Sequence, residues 1–185
     1  STNTGAVVLI YTSNEVTTDF ELSDITVTDC VQSAFTGSSM VYGSTCTEET
    51  NAVVPTVLVA VNKFNDATGN DNQASNTYTW TYDTADPTMV ITSTAGTADA
   101  GTSGVAAFAL TFTSNEATAN FAAVDITADG GAQDCTIGSF TADGGSTTVY
   151  TATCTPDSSG DTVAVTVAAD KYTDTAGNNN AVSNT

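Results

Sequence analysis

Apolar and polar side chains alternate through most of this chain, with the two-residue period of β-strands. Over residues 105–113, Phe108, Leu110 and Phe112 share one face, while Ala109 and Thr111 share the other. Over 162–169, Val163, Val165 and Val167 line up in the same way. The pattern predicts further strands at 88–94, 121–128, 135–140 and 147–154. Gly and Asp cluster at Asp129-Gly130-Gly131, Asp143-Gly144-Gly145 and Ser159-Gly160-Asp161, which predicts the turns between them. A strand over 77–82, where Tyr78, Trp80 and Tyr82 alternate with threonines, has no counterpart later in the chain. No stretch has helical periodicity of useful length, so the predicted class is all-β.

The pattern also repeats. Thr12-Ser13-Asn14-Glu15 returns as Thr113-Ser114-Asn115-Glu116, and Asp24-Ile25-Thr26 as Asp125-Ile126-Thr127, a shift of 101 (116 − 15). Lys63, Asp66, Gly69 and Asn70 return as Lys171, Asp174, Gly177 and Asn178, and Ser75-Asn76-Thr77 as Ser183-Asn184-Thr185, a shift of 108 (171 − 63). A period of that size copies a whole domain, not the short unit of a solenoid. The 185 residues therefore read as two tandem domains, 1–83 and 84–185. Each is expected to be an immunoglobulin-like β-sandwich of about seven strands. The first copy has no equivalent of the 88–94 strand, and the second stops before an equivalent of the Tyr-Trp-Tyr strand. Two explanations stay open: a window on a longer array, or strands supplied by neighbouring subunits. Residues 6–11 bear on this, because Val8 and Ile10 stand where the second copy has Ala109 and Thr111, which makes the segment apolar on both faces. Beside an open edge, Val8 and Ile10 are the candidate assembly contact.

Charge narrows the partners. Twenty-one acidic residues face only two basic ones, with no histidine, for a formal net charge of −19. Such a surface repels nucleic acid and anionic membranes, which are bound through Lys and Arg, and it attracts cations. The four cysteines fall two per copy, Cys30 with Cys46 and Cys135 with Cys154. Neither pair has C-x-x-C spacing and no histidine completes a zinc site, so two disulfides are predicted, one in each copy. They imply an oxidising, extracellular or cell-surface setting. No transmembrane run is visible, so direct membrane insertion is not expected.

In an antiparallel sandwich the loops fall alternately at two poles. For the second copy, the segment before the first strand, the loop after the second and the last loop share one pole. They bring Asp83 and Asp86, Glu116, and Asp174 with Asn178 and Asn179 toward the joint with the preceding copy. Ca²⁺ takes six to eight hard oxygen ligands in a flexible cage, which is the donor set offered there. Gly177 allows the tight turn that wraps the loop round an ion. The first copy presents the less complete set Glu15, Asp66 and Asn70, with Asp71 beside them, and its opposite pole carries Glu48 and Glu49.

Read in order, Thr-Ser-Asn-Glu, Asp-Ile-Thr, Phe-Thr-Ala-Asp-Gly-Gly, Val-Tyr-Thr-Ala-Thr, a valine-alternating strand and Asp-Thr-Ala-Gly-Asn resemble the bacterial immunoglobulin-like repeats of large secreted adhesins. Asp83-Thr84-Ala85-Asp86-Pro87-Thr88 resembles that family's inter-repeat joint. The resemblance spans essentially the whole chain. It implies a surface fibre or stalk whose junctions calcium stiffens, through the ligands named above. The paired cysteines depart from that pattern.

Three classes of function follow. A non-enzymatic structural or adhesive protein of tandem repeats comes first, with further copies of the same repeat and an extracellular glycan as expected partners. A polymerising filament or surface-layer subunit is the second. A carbohydrate-binding module is the third, should Tyr78, Trp80 and Tyr82 form an outward platform in place of core. An enzyme is not expected, because the acids lie at repeated turn positions and a catalytic site is seldom copied together with its scaffold.

Overall fold

Buried and exposed side chains alternate along the first strand, β1 (Ala6–Thr17). Leu9 enters the core, while Val8 and Ile10 on the other face are each 73% exposed. The computed structural model describes residues 2–48, 50, 53–94, 107–128, 135–157 and 163–185. It divides into two compact units, Ser1–Thr84 and Ala85–Thr185, a division one residue on from the boundary expected from the repeat. All regular structure among the described residues is β-strand, apart from three short 3₁₀ turns.

In the first unit β1 is followed by β2 (Ile25–Thr28), β3 (Cys30–Glu48), β4 (Thr56–Val59) and β5 (Tyr78–Thr79). β1 pairs antiparallel with β3, from Ala6 opposite Thr47 to Thr12 opposite Val41. β2, β4 and β5 form a second antiparallel sheet in that order. Leu9, Ile25, Tyr42, Val57 and Val59 fill the core around Phe20. The Phe20 ring meets Tyr11, Phe35, Tyr42 and Phe64 at centroid distances of 4.9 to 5.8 Å. β3 must reverse on itself: Cys30 and Cys46 are 16 residues apart yet disulfide-bonded, with Cα atoms 5.6 Å apart. The reversal centres on Gly37, at φ 123°, where a Cβ would sit 2.3 Å from the carbonyl oxygen of Val41, so only glycine fits.

The second unit contains β6 (Met89–Ser93), β7 (Phe108–Ser114), β8 (Ile126–Ala128), β9 (Cys135–Ala142), β10 (Val149–Pro156) and β11 (Val165–Val167). One sheet runs β6-β7-β10-β9, and β11 pairs with β8 in another. Met89, Ile91, Leu110, Phe112, Val165 and Val167 are buried between them. Phe121 again is the hub, with Phe112, Phe140, Tyr150 and Tyr172 at 5.1 to 5.7 Å. Cys135 and Cys154 are bonded, Cα atoms 5.5 Å apart, tying β9 to β10. This is the all-β, antiparallel architecture of an immunoglobulin-like sandwich.

Several expectations need correcting. The predicted strand over 121–128 is strand only from Ile126. Ahead of it the Asp125 carboxylate accepts the Ala122 N–H at 2.8 Å and bends Ala123–Asp125 into a 3₁₀ turn. Asp24 does the same with the Glu21 N–H at 2.9 Å. The repeated Asp-Ile-Thr is therefore a turn feeding a strand. The Tyr-Trp-Tyr strand shrinks to Tyr78–Thr79. Glu48, expected in a loop at the opposite pole, ends β3 and is buried, where the half-buried Trp80 indole N–H takes its Oε1 as acceptor. The segments predicted at 105–113 and 162–169 become β7 and β11 in their described parts. Glu49 and the predicted turns Asp129-Gly130-Gly131 and Ser159-Gly160-Asp161 lie outside the described residues.

Candidate functional site

The turn after β11 is built on one carboxylate. Asp174 Oδ1 accepts the backbone N–H groups of Ala176, Gly177 and Asn178 at 2.8, 2.7 and 2.9 Å, and Oδ2 accepts the Asn178 side-chain amide at 2.9 Å. Gly177, at φ 98°, supplies the left-handed step that turns those amides inward. Asn180 fixes the base of the loop. Its Oδ1 accepts from the Lys171 and Tyr172 N–H groups, and its amide donates to the carbonyls of Ala168 and Ala181. Asp174 is only 3% exposed. Burial, the largest single influence, works against its ionisation. The hydrogen bonds from Asn178, Gly177 and Ala176 together outweigh it and hold the carboxyl below its ordinary range.

Two more carboxylates come to the same place. Glu116 follows β7 and is half-buried, and its Oε1 accepts the Asn115 side-chain amide at 3.0 Å. Asn115 in turn accepts the Thr88 N–H. Asp83, also half-buried, stands just ahead of the second unit in the chain. One oxygen from each of Asp83, Glu116 and Asp174 lies within 4.8 Å of the others. Oxygens bound to one Ca²⁺ at about 2.3–2.6 Å from the ion lie within about 5 Å of each other, so this donor set fits that cation. Asn178 is buried at the same turn. Asp86 and Asn179 are exposed, and Asp86 lies outside the group of carboxylates.

The first unit repeats the turn but not the cluster. Asp66 Oδ1 accepts the Thr68 and Asn70 N–H groups, each at 2.8 Å, and Oδ2 accepts the Asn70 amide at 2.8 Å. The Asn70 backbone N–H, followed by its side chain, holds the Asp66 carboxyl far below the ordinary carboxylate range. Glu15 is exposed on β1. Among the described residues, no group of three carboxylates forms there.

Residues 83–185 match the family described as the bacterial Ig-like domain. The chain belongs to that family. No curated protein and no solved structure matches it. This Ig-like domain begins at Asp83, so all three clustered carboxylates lie within the matched span. Bacterial Ig-like domains suit a structural role at the cell surface and are typically non-enzymatic. The two disulfides suit an extracellular or surface location as well. Among the described residues, no helix is long and apolar enough to cross a membrane.

Sequence reasoning passed over the asparagines that hold the Ig-like loops. Asn72 accepts from the Lys63 and Phe64 N–H groups as Asn180 does from Lys171 and Tyr172. Thr17 with Tyr42, and Thr118 with Tyr150, form a second matched pair of hydrogen bonds. The signal was present, because Asn72 and Asn180 obey the same shift of 108 (180 − 72) as the neighbouring aspartates.

Proposed function

We propose that this chain is a non-enzymatic length of an extracellular fibre or stalk, built of tandem Ig-like repeats and displayed for adhesion. The observation that carries the reading is duplication of scaffold. Asp66 and Asp174 gather the same loop amides, Asn72 and Asn180 pin the same strands, and each unit has its own disulfide. A framework copied with its internal supports serves length and reach. Trp80 gives its indole N–H to buried Glu48 and packs on the core of the first unit, which favours this reading over a carbohydrate-binding module. Further copies of the repeat are the proposed partners, with an extracellular glycan as the target of adhesion.

Calcium belongs to the same proposal. Asp83, Glu116 and Asp174, with Asn178 beside them, would hold one ion at the pole where the chain enters the second domain. The ion's charge would relieve three carboxylates that otherwise repel one another. Immunogold imaging of the native material tests the main reading. Long thin surface strands bearing the label are expected. Label confined to the cell interior would overturn it, and a fibre with a regular axial repeat would point to a polymerised subunit instead.

A further inference from the structure

Tyr172 is 1% exposed, and its hydroxyl makes no hydrogen bond. The other buried tyrosines among the described residues are satisfied. Tyr42 pairs with Thr17 at 2.8 Å and Tyr150 with Thr118 at 2.6 Å. Packing does not call for the Tyr172 hydroxyl. Phe64 holds the same place in the first unit by the shift of 108 (172 − 64). Its ring meets Phe20 at 4.9 Å, as the Tyr172 ring meets Phe121 at 5.1 Å. A hydroxyl buried without a partner is costly, so the oxygen added at Tyr172 serves something other than the core.

Its surroundings show what that is. The Asn180 side chain accepts the Tyr172 N–H at 2.9 Å, and the Asn180 N–H donates to the Tyr172 carbonyl at 3.0 Å, which fixes where the ring leaves the chain. Tyr172 and Asp174 are both buried with half-buried Thr173 between them, so the two side chains leave the segment on the same side. Burial is the largest influence on the phenol and raises its ionisation; the Ser114 side chain opposes this, and Tyr150 and the Glu116 charge add to it. Ser114 is therefore close without meeting the geometry of a hydrogen bond, and Glu116 is the carboxylate whose charge reaches the hydroxyl. The phenol stays protonated in such a place, and hence a donor.

We propose that Tyr172 is a positioning residue of the carboxylate cluster, donating its O–H to the Glu116 carboxylate from the core side and holding it toward the cation. This rests on the calcium reading given above. Carboxylates that ligate a metal are themselves held by hydrogen bonds from outside the coordination shell. Asp174 already has that support from the loop amides of Ala176, Gly177 and Asn178. Glu116 sits on a bend beyond the end of β7, and exposed Asn115 donates to its Oε1. Tyr172 adds a rigid donor from the buried side, with a hydroxyl that the ring alone would not need.

Titration calorimetry of Ca²⁺ into the full chain, parent against Tyr172→Phe, tests this. The variant carries the ring that the first unit uses in this place, so it should fold. In chelator it should melt at the parent's temperature or above, because an unpaired buried hydroxyl has been removed. Its affinity for Ca²⁺ should fall about tenfold, the lower end of the effect of removing an outer-shell partner. A second readout does not depend on affinity. At saturating Ca²⁺ the parent's tyrosine ultraviolet band should move to longer wavelength as the phenol donates to a carboxylate, and the variant should lack that change. Equal affinity in the two proteins would overturn the proposal and leave the calcium reading standing, whereas a parent that takes up no Ca²⁺ would overturn both. A variant that melts lower than the parent in chelator would make Tyr172 a packing residue and overturn the proposal as well.

Discussion

Replacing Glu116 by glutamine should stabilise the second domain in chelator and destabilise it, relative to the parent, in calcium. Glu116 is chosen because Asp174 also holds the loop amides, and its loss would confound charge with turn structure. The amide of glutamine retains the oxygen that Asn115 donates to. With the three oxygens no more than 4.8 Å apart, each like-charged pair costs about 0.9 kcal/mol at the dielectric of water and about 3.5 kcal/mol at an effective value of 20. Neutralising Glu116 removes two of the three pairs. After salt screening, about 1 kcal/mol of relief is a conservative figure, equivalent to a rise of roughly 4–8 °C in Tm for a domain of this size. In calcium the parent gains RT ln(1 + [L]/Kd), about 2.7 kcal/mol at a hundredfold excess over Kd, and the variant loses most of that gain. The two melting curves should therefore exchange order between chelator and millimolar Ca²⁺. Scanning calorimetry on the full chain reads this, with Trp80 fluorescence as a separate report on the first unit. The reasoning is refuted if the parent melts at the same temperature in both conditions, or if Glu116→Gln melts lower in both.

Three further outcomes are expected. Non-reducing peptide mapping should recover Cys30 with Cys46 and Cys135 with Cys154, and Cys135→Ser with Cys154→Ser should cost about 3 kcal/mol in denaturant melts. Phe121→Ala removes a ring that meets four others and should cost about 3–5 kcal/mol, whereas Phe121→Leu should cost much less. The folded Asp66 carboxyl titrates far below its ordinary 3.8, so its contribution is fully present above that value and is lost as pH falls toward the lowered one. Exchange at the Thr68 and Asn70 amides should quicken over that acid range, and Asp66→Asn should remove the pH dependence.

How much of this was legible depended on whether a residue's partner lay within its own period. Phe108, Leu110 and Phe112 announce a strand because the pleat alone sets their faces. Asp-Ile-Thr announced only that something was being kept. A recurring triplet reports a constraint without its geometry, and the carboxylate's reach back to the N–H three residues earlier turned strand into 3₁₀. Asp83 and Asp86 were indistinguishable in sequence, yet of the two only Asp83 groups with Glu116 and Asp174. Glu48 read as a loop acid at the opposite pole because its partner, Trp80, is 32 residues away.

The disulfides have a mechanical consequence. When a domain is pulled apart by its ends, the length it releases is set by the residues free to straighten. The bond between Cys135 and Cys154 takes the segment enclosed by its 19-residue separation out of that count, and Cys30–Cys46 removes its 16-residue loop. At about 3.4 Å per extended residue, each bond withholds roughly 50–60 Å of slack. A strand of such domains under flow would give way in shorter steps than its contour length suggests, and each opened domain would keep a closed hairpin from which to refold.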